Sequence, residues 1–179
     1  MEAALFILGC FYFMLPAYFA NMAPVIVKGI LKPLAFPLDF NKQLNGKPLF
    51  GKNKTFRGLI FAVIFGIAIA FLQHYFYTSF RAISFIDYSS WLLFGFLMGF
   101  GAIFGDLVKS FIKRRLDVTP GKMFFPWDQL DFIFGALVFA SFVYVPSLEQ
   151  ITAIIIISVL GHIIINHSAY YLKIRNEKW

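Results

Sequence analysis

The chain has 179 residues, of which 60% are hydrophobic, 20% aromatic and only 14% charged. A soluble domain carries roughly 25% charge, so this composition excludes disorder and argues against a soluble enzyme. At ~20 apolar residues per spanning helix, the apolar content amounts to roughly five spans in a single domain. The net charge of +7, from 16 Lys and Arg against 9 Asp and Glu, has two sources in a membrane protein: topology and anionic ligands.

The amino terminus, Met1-Glu2-Ala3-Ala4, lacks the basic region of a signal peptide, so the first apolar run reads as a retained span over about 3–27. Pro16 is expected to kink it. The lone Cys10 lies inside it, which excludes an intramolecular disulfide and a thiol metal cluster. Further spans are predicted over 58–77, 91–108, 128–145 and 150–172, joined on one side by long loops over 28–57 and 109–127. The fourth span is the shortest and covers roughly 27 Å, just enough for the hydrocarbon core.

All of the 16 basic residues except Arg81 fall in the two long loops or after the fifth span. By the positive-inside rule these regions are cytoplasmic, with the N-terminus outside and the C-terminus inside. The predicted fold is therefore an all-α polytopic integral membrane protein, one domain over 1–179 with five transmembrane helices. Chemistry is expected on the cytoplasmic face, where the polar loops are long.

The first loop ends Gly46-Lys-Pro-Leu-Phe-Gly51-Lys52-Asn53-Lys54-Thr55-Phe56-Arg57-Gly58. Asn53 stands where a P-loop needs Ser or Thr, and no strand precedes it, so a P-loop is rejected. What remains is a basic, Gly-punctuated segment that is either topogenic or anion-binding. Thr55 is placed to cap the second span, where backbone N–H groups favour anions.

The third span carries two small-xxx-small spacings, Gly95 to Gly99 and Gly101 to Gly105, suited to close helix packing. It delivers Asp106 to its inner end. Lys109, Ser110 and Lys113 follow at helical spacing on the same face. Asp106 and Lys109 can simply be an ion pair. The basic run Lys113-Arg114-Arg115, with Lys122 beyond it, either sets topology or clamps phosphate, Arg as a bidentate donor and Lys as a point charge.

Asp128 and Asp131 open the fourth span on one helical face. They can serve as N-cap and first-turn acid. Alternatively they join Asp106 at the same membrane depth to hold a divalent metal. Mg²⁺ takes carboxylate oxygens and is often completed by substrate phosphates. Three acids among many basic residues suit metal-assisted phosphate chemistry. In the fifth span, Ser158, His162, Asn166, His167 and Ser168 are expected to make interhelical hydrogen bonds, or else to meet a nucleotide or headgroup.

The run Gly105-Asp106-Leu-Val-Lys109-Ser110-Phe-Ile-Lys113-Arg114-Arg115, then Pro120-Gly121-Lys122 and Asp128-Gln-Leu-Asp131, resembles the CTP-dependent cytidylyltransferases of membrane lipid synthesis. Within them it is most similar to the archaeal branch, the CDP-archaeol synthases. Gly51 to Gly58 resembles that family's other basic motif, and the stretch from His162 to Trp179 is also similar. The chain departs from the bacterial CDP-diacylglycerol synthases: Asp117 has no preceding Lys, and Phe124-Phe125-Pro126-Trp127 replaces His-Gly-Gly.

The resemblance implies transfer of a cytidylyl group from CTP to an isoprenoid glycerol ether phosphate, releasing pyrophosphate. Mg²⁺ would sit on Asp106, Asp128 and Asp131. Lys109, Lys113 and Arg114 would be catalytic. Lys52, Lys54, Thr55, Arg57, Ser110, Arg115 and Lys122 would hold the phosphates. No nucleic acid partner is expected, and a homodimer is left open. The competing readings are a CDP-diacylglycerol synthase, a CTP-dependent polyprenol kinase and a non-enzymatic lipid-binding protein.

Overall fold

The computed structural model describes residues 2–118 and 124–171, without the side chains of 162 and 165–170. Lys122 and the polar side chains of His162, Asn166, His167 and Ser168 therefore lie outside the described residues. Five long helices account for most of the chain: α1 (Glu2–Ile26), α2 (Phe56–Tyr75), α4 (Trp91–Arg115), α5 (Trp127–Ala140) and α6 (Leu148–Tyr171), with one short turn of helix, α3 (Tyr77–Phe80), after α2. Each predicted span corresponds to one of these long helices. Among the described residues, three of them are long and apolar enough to cross a membrane: α1 extended to Gly29, α2 and α4.

α4 is the central element and packs against α5, α2 and α1. Its glycines do the work expected of them, each pair against a different neighbour. A Cβ on Gly95 or Gly99 would lie 2.6–3.0 Å from the Ile67 and Val63 Cα atoms of α2. A Cβ on Gly101 would lie 2.6 Å from the Gly135 carbonyl oxygen of α5, and one on Gly105 would overlap the Asp131 carbonyl. These contacts allow backbone to touch backbone, which is how helices gain dispersion energy where no hydrophobic force separates them from lipid. Small residues of α1 (Ala17, Ala20, Ala23) are fully buried in the same way.

Polar side chains inside the bundle are tied across helices. Gln73 Nε2 donates to the Tyr12 carbonyl at 2.6 Å, and the Tyr18 and Ser158 hydroxyls are 2.5 Å apart. The Ser158 contact is the interhelical hydrogen bond expected of the fifth span.

Three features differ from the sequence reading. α4 continues to Arg115, so Lys109 to Arg115 are helical rather than loop residues. Helix propensity explains this, since Lys and Arg are good helix formers and favour the C-terminal end of the dipole. α5 stops at Ala140, before the expected 145. There the Ser141 hydroxyl donates to the Val138 carbonyl, and Val143 and Tyr144 both turn their N–H groups onto Ala140. Its 14 residues cover about 21 Å, short of the roughly 30 Å hydrocarbon core. The third difference is that the fold is not purely helical. Gln43–Leu44 (β1) pairs antiparallel with Lys47–Pro48 (β2), and Pro37 bridges Thr55. The turn is Asn45-Gly46, both at positive φ, the sequence that a two-residue hairpin favours.

Candidate active site

The first loop, the last turns of α4 and the first turn of α5 meet at one end of the bundle. Asp106 and Lys109 stand one turn apart on α4, and Asp128 and Asp131 one turn apart on α5. The Gly105–Asp131 backbone contact brings the two pairs face to face. Lys109 Nζ lies 3.2 Å from Asp106 Oδ1, 3.0 Å from Asp128 Oδ1 and 2.7 Å from Asp131 Oδ2. Its side chain is 14% exposed and that of Asp131 5%. Asp106 also pairs with Lys54 of the first loop. Lys113 Nζ lies 3.2 Å from Asp128 Oδ1.

The network therefore alternates three carboxylates with three ammonium groups from α4, α5 and the loop. Buried charge of one sign would be prohibitive; balanced charge with several hydrogen bonds per group is tolerated. Among the described residues no group of three His, Cys, Asp or Glu is arranged around an open metal position. The three acids instead converge on the Lys109 ammonium. The donor set still suits a hard divalent cation, because every ligand is a carboxylate oxygen and all three gather around one cationic centre.

Asp128 does not cap α5, whose helix begins after Pro126 without a side-chain cap. Its Oδ2 instead accepts the Phe124 N–H at 2.6 Å, while its own N–H donates to the Phe124 carbonyl. This reciprocal pair fixes the turn entering α5, and so fixes Asp131.

Two cavities flank the network, and Lys109 lines both. The first, the more polar of the two, is about 430 Å³ and is walled by Phe50, Lys52, Asn53 and Lys54 from the loop and by Ser110, Lys113 and Arg114 from α4. The second is an apolar groove of about 470 Å³ along α4 and α5, walled by Phe104, Val108, Phe134, Val138 and Phe139, with Lys109 and Asp131 among its lining residues.

Three expected phosphate ligands are engaged elsewhere. Arg115 lies outside the polar cavity's walls and donates to the carbonyls of Leu44 (2.8 Å), Lys47 (3.1 Å) and Pro48 (2.5 Å). Lys47 returns the contact to Asp117 at 2.6 Å. Arg57 is buried and donates to the Ile30 carbonyl at 2.8 Å, pinning the start of α2 to the end of α1. Thr55 caps α2, its hydroxyl accepting the Gly58 N–H at 3.2 Å, as expected.

One organising residue escaped the sequence reading. Asp39, 4% exposed, accepts N–H bonds from Asn41 (3.0 Å), Phe50 (3.1 Å) and Gly51 (2.9 Å). Burial pushes its carboxyl up, but the N–H groups of Gly51, Phe50 and Asn41 outweigh this and hold it below the usual carboxylate value. The signal available in sequence was Asp39-Phe40-Asn41, an Asx-turn pattern, which does not reveal the distant partners Phe50 and Gly51.

A family model described as "CarS-like: CDP-archaeol synthase" matches residues 4–179. The chain belongs to this family. Among curated relatives, the CDP-archaeol synthase of Thermococcus onnurineus is 38% identical over 174 residues, covering 97% of each chain. That of Pyrococcus furiosus is 36% identical over 174 residues, covering 97% of this chain and 98% of its own. That of Methanocaldococcus jannaschii is 35% identical over 173 residues, covering 94% of each. A solved structure of an intramembrane enzyme for archaeal membrane lipid biosynthesis aligns with a TM-score of 0.72 at 29% identity, covering 87% of this chain and 90% of that chain. In this CarS-like chain the matched residues include Lys52 and Lys54 of the first loop and Asp106, Lys109, Asp128 and Asp131, which the fold brings together at one end of the bundle.

Proposed function

We propose that this chain is a CTP-dependent cytidylyltransferase that makes CDP-archaeol from an unsaturated isoprenoid glycerol ether phosphate, releasing pyrophosphate. The observation that carries the reading is that Lys109 lines both a polar, lysine-walled cavity and an apolar groove. One cavity suits a nucleoside triphosphate and the other the lipid's branched chains, and the two reacting phosphates would meet at their junction. The family's full-length match supports the same chemistry.

In the reaction a lipid phosphate oxygen bonds to the α-phosphorus of CTP, and the bond from that phosphorus to the β-phosphate bridging oxygen breaks. Pyrophosphate leaves in line with the electron pair. A phosphate dianion is already nucleophilic at neutral pH, so no general base is required. The barrier is chiefly repulsion between anions and misorientation, which positioned cations lower. Lys52, Lys54, Lys113 and Arg114 neutralise the triphosphate from the cavity walls. Ser110 offers a hydroxyl there. Asp106, Asp128 and Asp131 would hold Mg²⁺, which when bound supplies Lewis-acid neutralisation of phosphate oxygens. The groove along α4 and α5 orients the lipid phosphate and keeps the chains in a dry environment.

The same reading places five crossings, with the N-terminus outside and the site on the cytoplasmic side where CTP is available. Its support is the gathering of basic residues from the first loop and from the last turns of α4 at the site end of the bundle. α5, too short to cross alone, would be completed by the segment leading to Leu148.

The test is pyrophosphate release by the purified chain in lipid or detergent, given CTP, Mg²⁺ and the ether-lipid phosphate. Activity with that lipid above an ester-lipid phosphate is expected. No release from any lipid phosphate overturns the reading, and CDP as product reassigns the chain to a lipid kinase.

A further inference from the structure

We propose that Lys109 is a resident counter-ion that keeps the acid cluster closed until a divalent cation displaces it, whereupon its ammonium moves into the polar cavity to meet the triphosphate. The inference rests on the functional reading above, and deepens it by giving one side chain two successive positions.

Three observations carry it. First, the Lys109 ammonium sits where a shared metal would sit, within 3.2 Å of an oxygen from each of Asp106, Asp128 and Asp131. A divalent ion bound by the same oxygens at about 2.0–2.1 Å cannot coexist with that nitrogen. Second, the charge is already balanced: Lys54 pairs with Asp106 and Lys113 with Asp128, whereas Lys109 is shared by all three acids. A divalent ion that takes all three acids at once therefore replaces the ammonium that bridges them, and that ammonium is Lys109. Third, the ammonium has somewhere to go. Lys109 already lines the polar cavity beside Lys52, Lys54, Ser110, Lys113 and Arg114, and its four-carbon stem is flexible.

The device would couple the two ligands. Without metal, the acids are screened and the helices stay together. With metal, the lysine vacates the acids and adds a positive charge to the triphosphate cavity, so metal loading and nucleotide binding reinforce each other.

The experiment follows thermal unfolding of the full chain in detergent micelles, without nucleotide, during a Mg²⁺ titration. Lys109→Met should be less stable than wild type without metal, because three carboxylates lose their shared cation. Mg²⁺ should restore it with a midpoint lowered by about ten-fold or more, the size of a close charge-pair coupling. An unchanged midpoint overturns the inference. Should Lys109→Met fail to fold, amine labelling of the wild-type chain gives an independent reading by peptide mass spectrometry. Labelling of Lys109 should rise several-fold on adding Mg²⁺, and constant labelling overturns the inference. Asp131→Asn separates the two levels. If wild type needs Mg²⁺ for turnover and Asp131→Asn blunts the Mg²⁺ response, while Lys109→Met keeps the wild-type midpoint, only the inference falls. If Asp131→Asn titrates like wild type, the metal assignment falls with it.

Discussion

Asp131 and Lys113 are the residues whose roles can be separated most cleanly. Asp131 is nearly buried and holds Lys109, so replacing it alters the cation site without opening a cavity. Asp131→Asn should lower kcat by roughly 10²–10³, the scale of a lost electrostatic stabiliser, with the protein still folded and inserted. Lys113 lines the polar cavity, and Lys113→Ala should raise KM for CTP by about ten-fold or more, the value of a charge-assisted hydrogen bond. Steady-state pyrophosphate assays with each substrate varied check both. Asp39 carries a pH expectation. Its carboxyl is held below the ordinary value, so its contribution to loop stability is complete above the unfolded pKa of about 3.9 and is lost as pH falls through the lower folded value. Amide protection of Phe50 and Gly51 should be flat from neutral pH to about 5 and fall below about 4. Asp39→Asn should show reduced protection already at neutral pH.

Between elements, two joints position the site. The α4–α5 joint depends on Gly101, Gly105 and Gly135, where any Cβ meets opposing backbone. Gly135→Ala would press on the Gly105 nitrogen and Cα at 2.8–2.9 Å, so the helices must separate. Overpacking of this kind costs about 1–3 kcal/mol. The accompanying shift of Asp131 should reduce kcat by roughly 10²-fold, in line with a misplacement near 1 Å. Thermal unfolding and turnover measured together check this. The second joint is the hairpin clamp of Arg115 and the Lys47–Asp117 pair. The hairpin leads directly into Phe50 to Lys54, which wall the polar cavity. Arg115→Lys removes the planar fork that reaches three carbonyls, and should raise KM for CTP several-fold with little change in kcat or in KM for the lipid.

On the scale of the whole molecule, the proposed function assigns the two substrates to separate cavities. The apolar groove is bounded by Val138, whose side chain is 62% exposed. Val138→Trp should fill the groove without disturbing the core. It should raise KM for the lipid phosphate by about ten-fold and leave KM for CTP unchanged, in keeping with the few kcal/mol at stake in an apolar pocket. An equal change in both constants would mean that the two cavities are not used separately.

Composition and apolar runs were enough to place five helices and to group the basic residues, because each long helix is written locally in the chain. The glycine spacings of α4 likewise announced close packing, and the triad of acids could be picked out by its spacing and basic surroundings. The partners of those residues were not legible. Nothing in the spacing of Asp106, Asp128 and Asp131 showed that they would close on Lys109, since that depends on how near two helix backbones come at Gly105 and Gly135. Nor did the basic run distinguish Lys113, which faces the acids, from Arg115, which faces the hairpin carbonyls. Sequence therefore determined the helices, the grouping of basic residues along the chain and the chemistry available. Tertiary structure decided which cation meets which anion, because ion pairing acts over a few ångströms in space and is indifferent to distance along the chain.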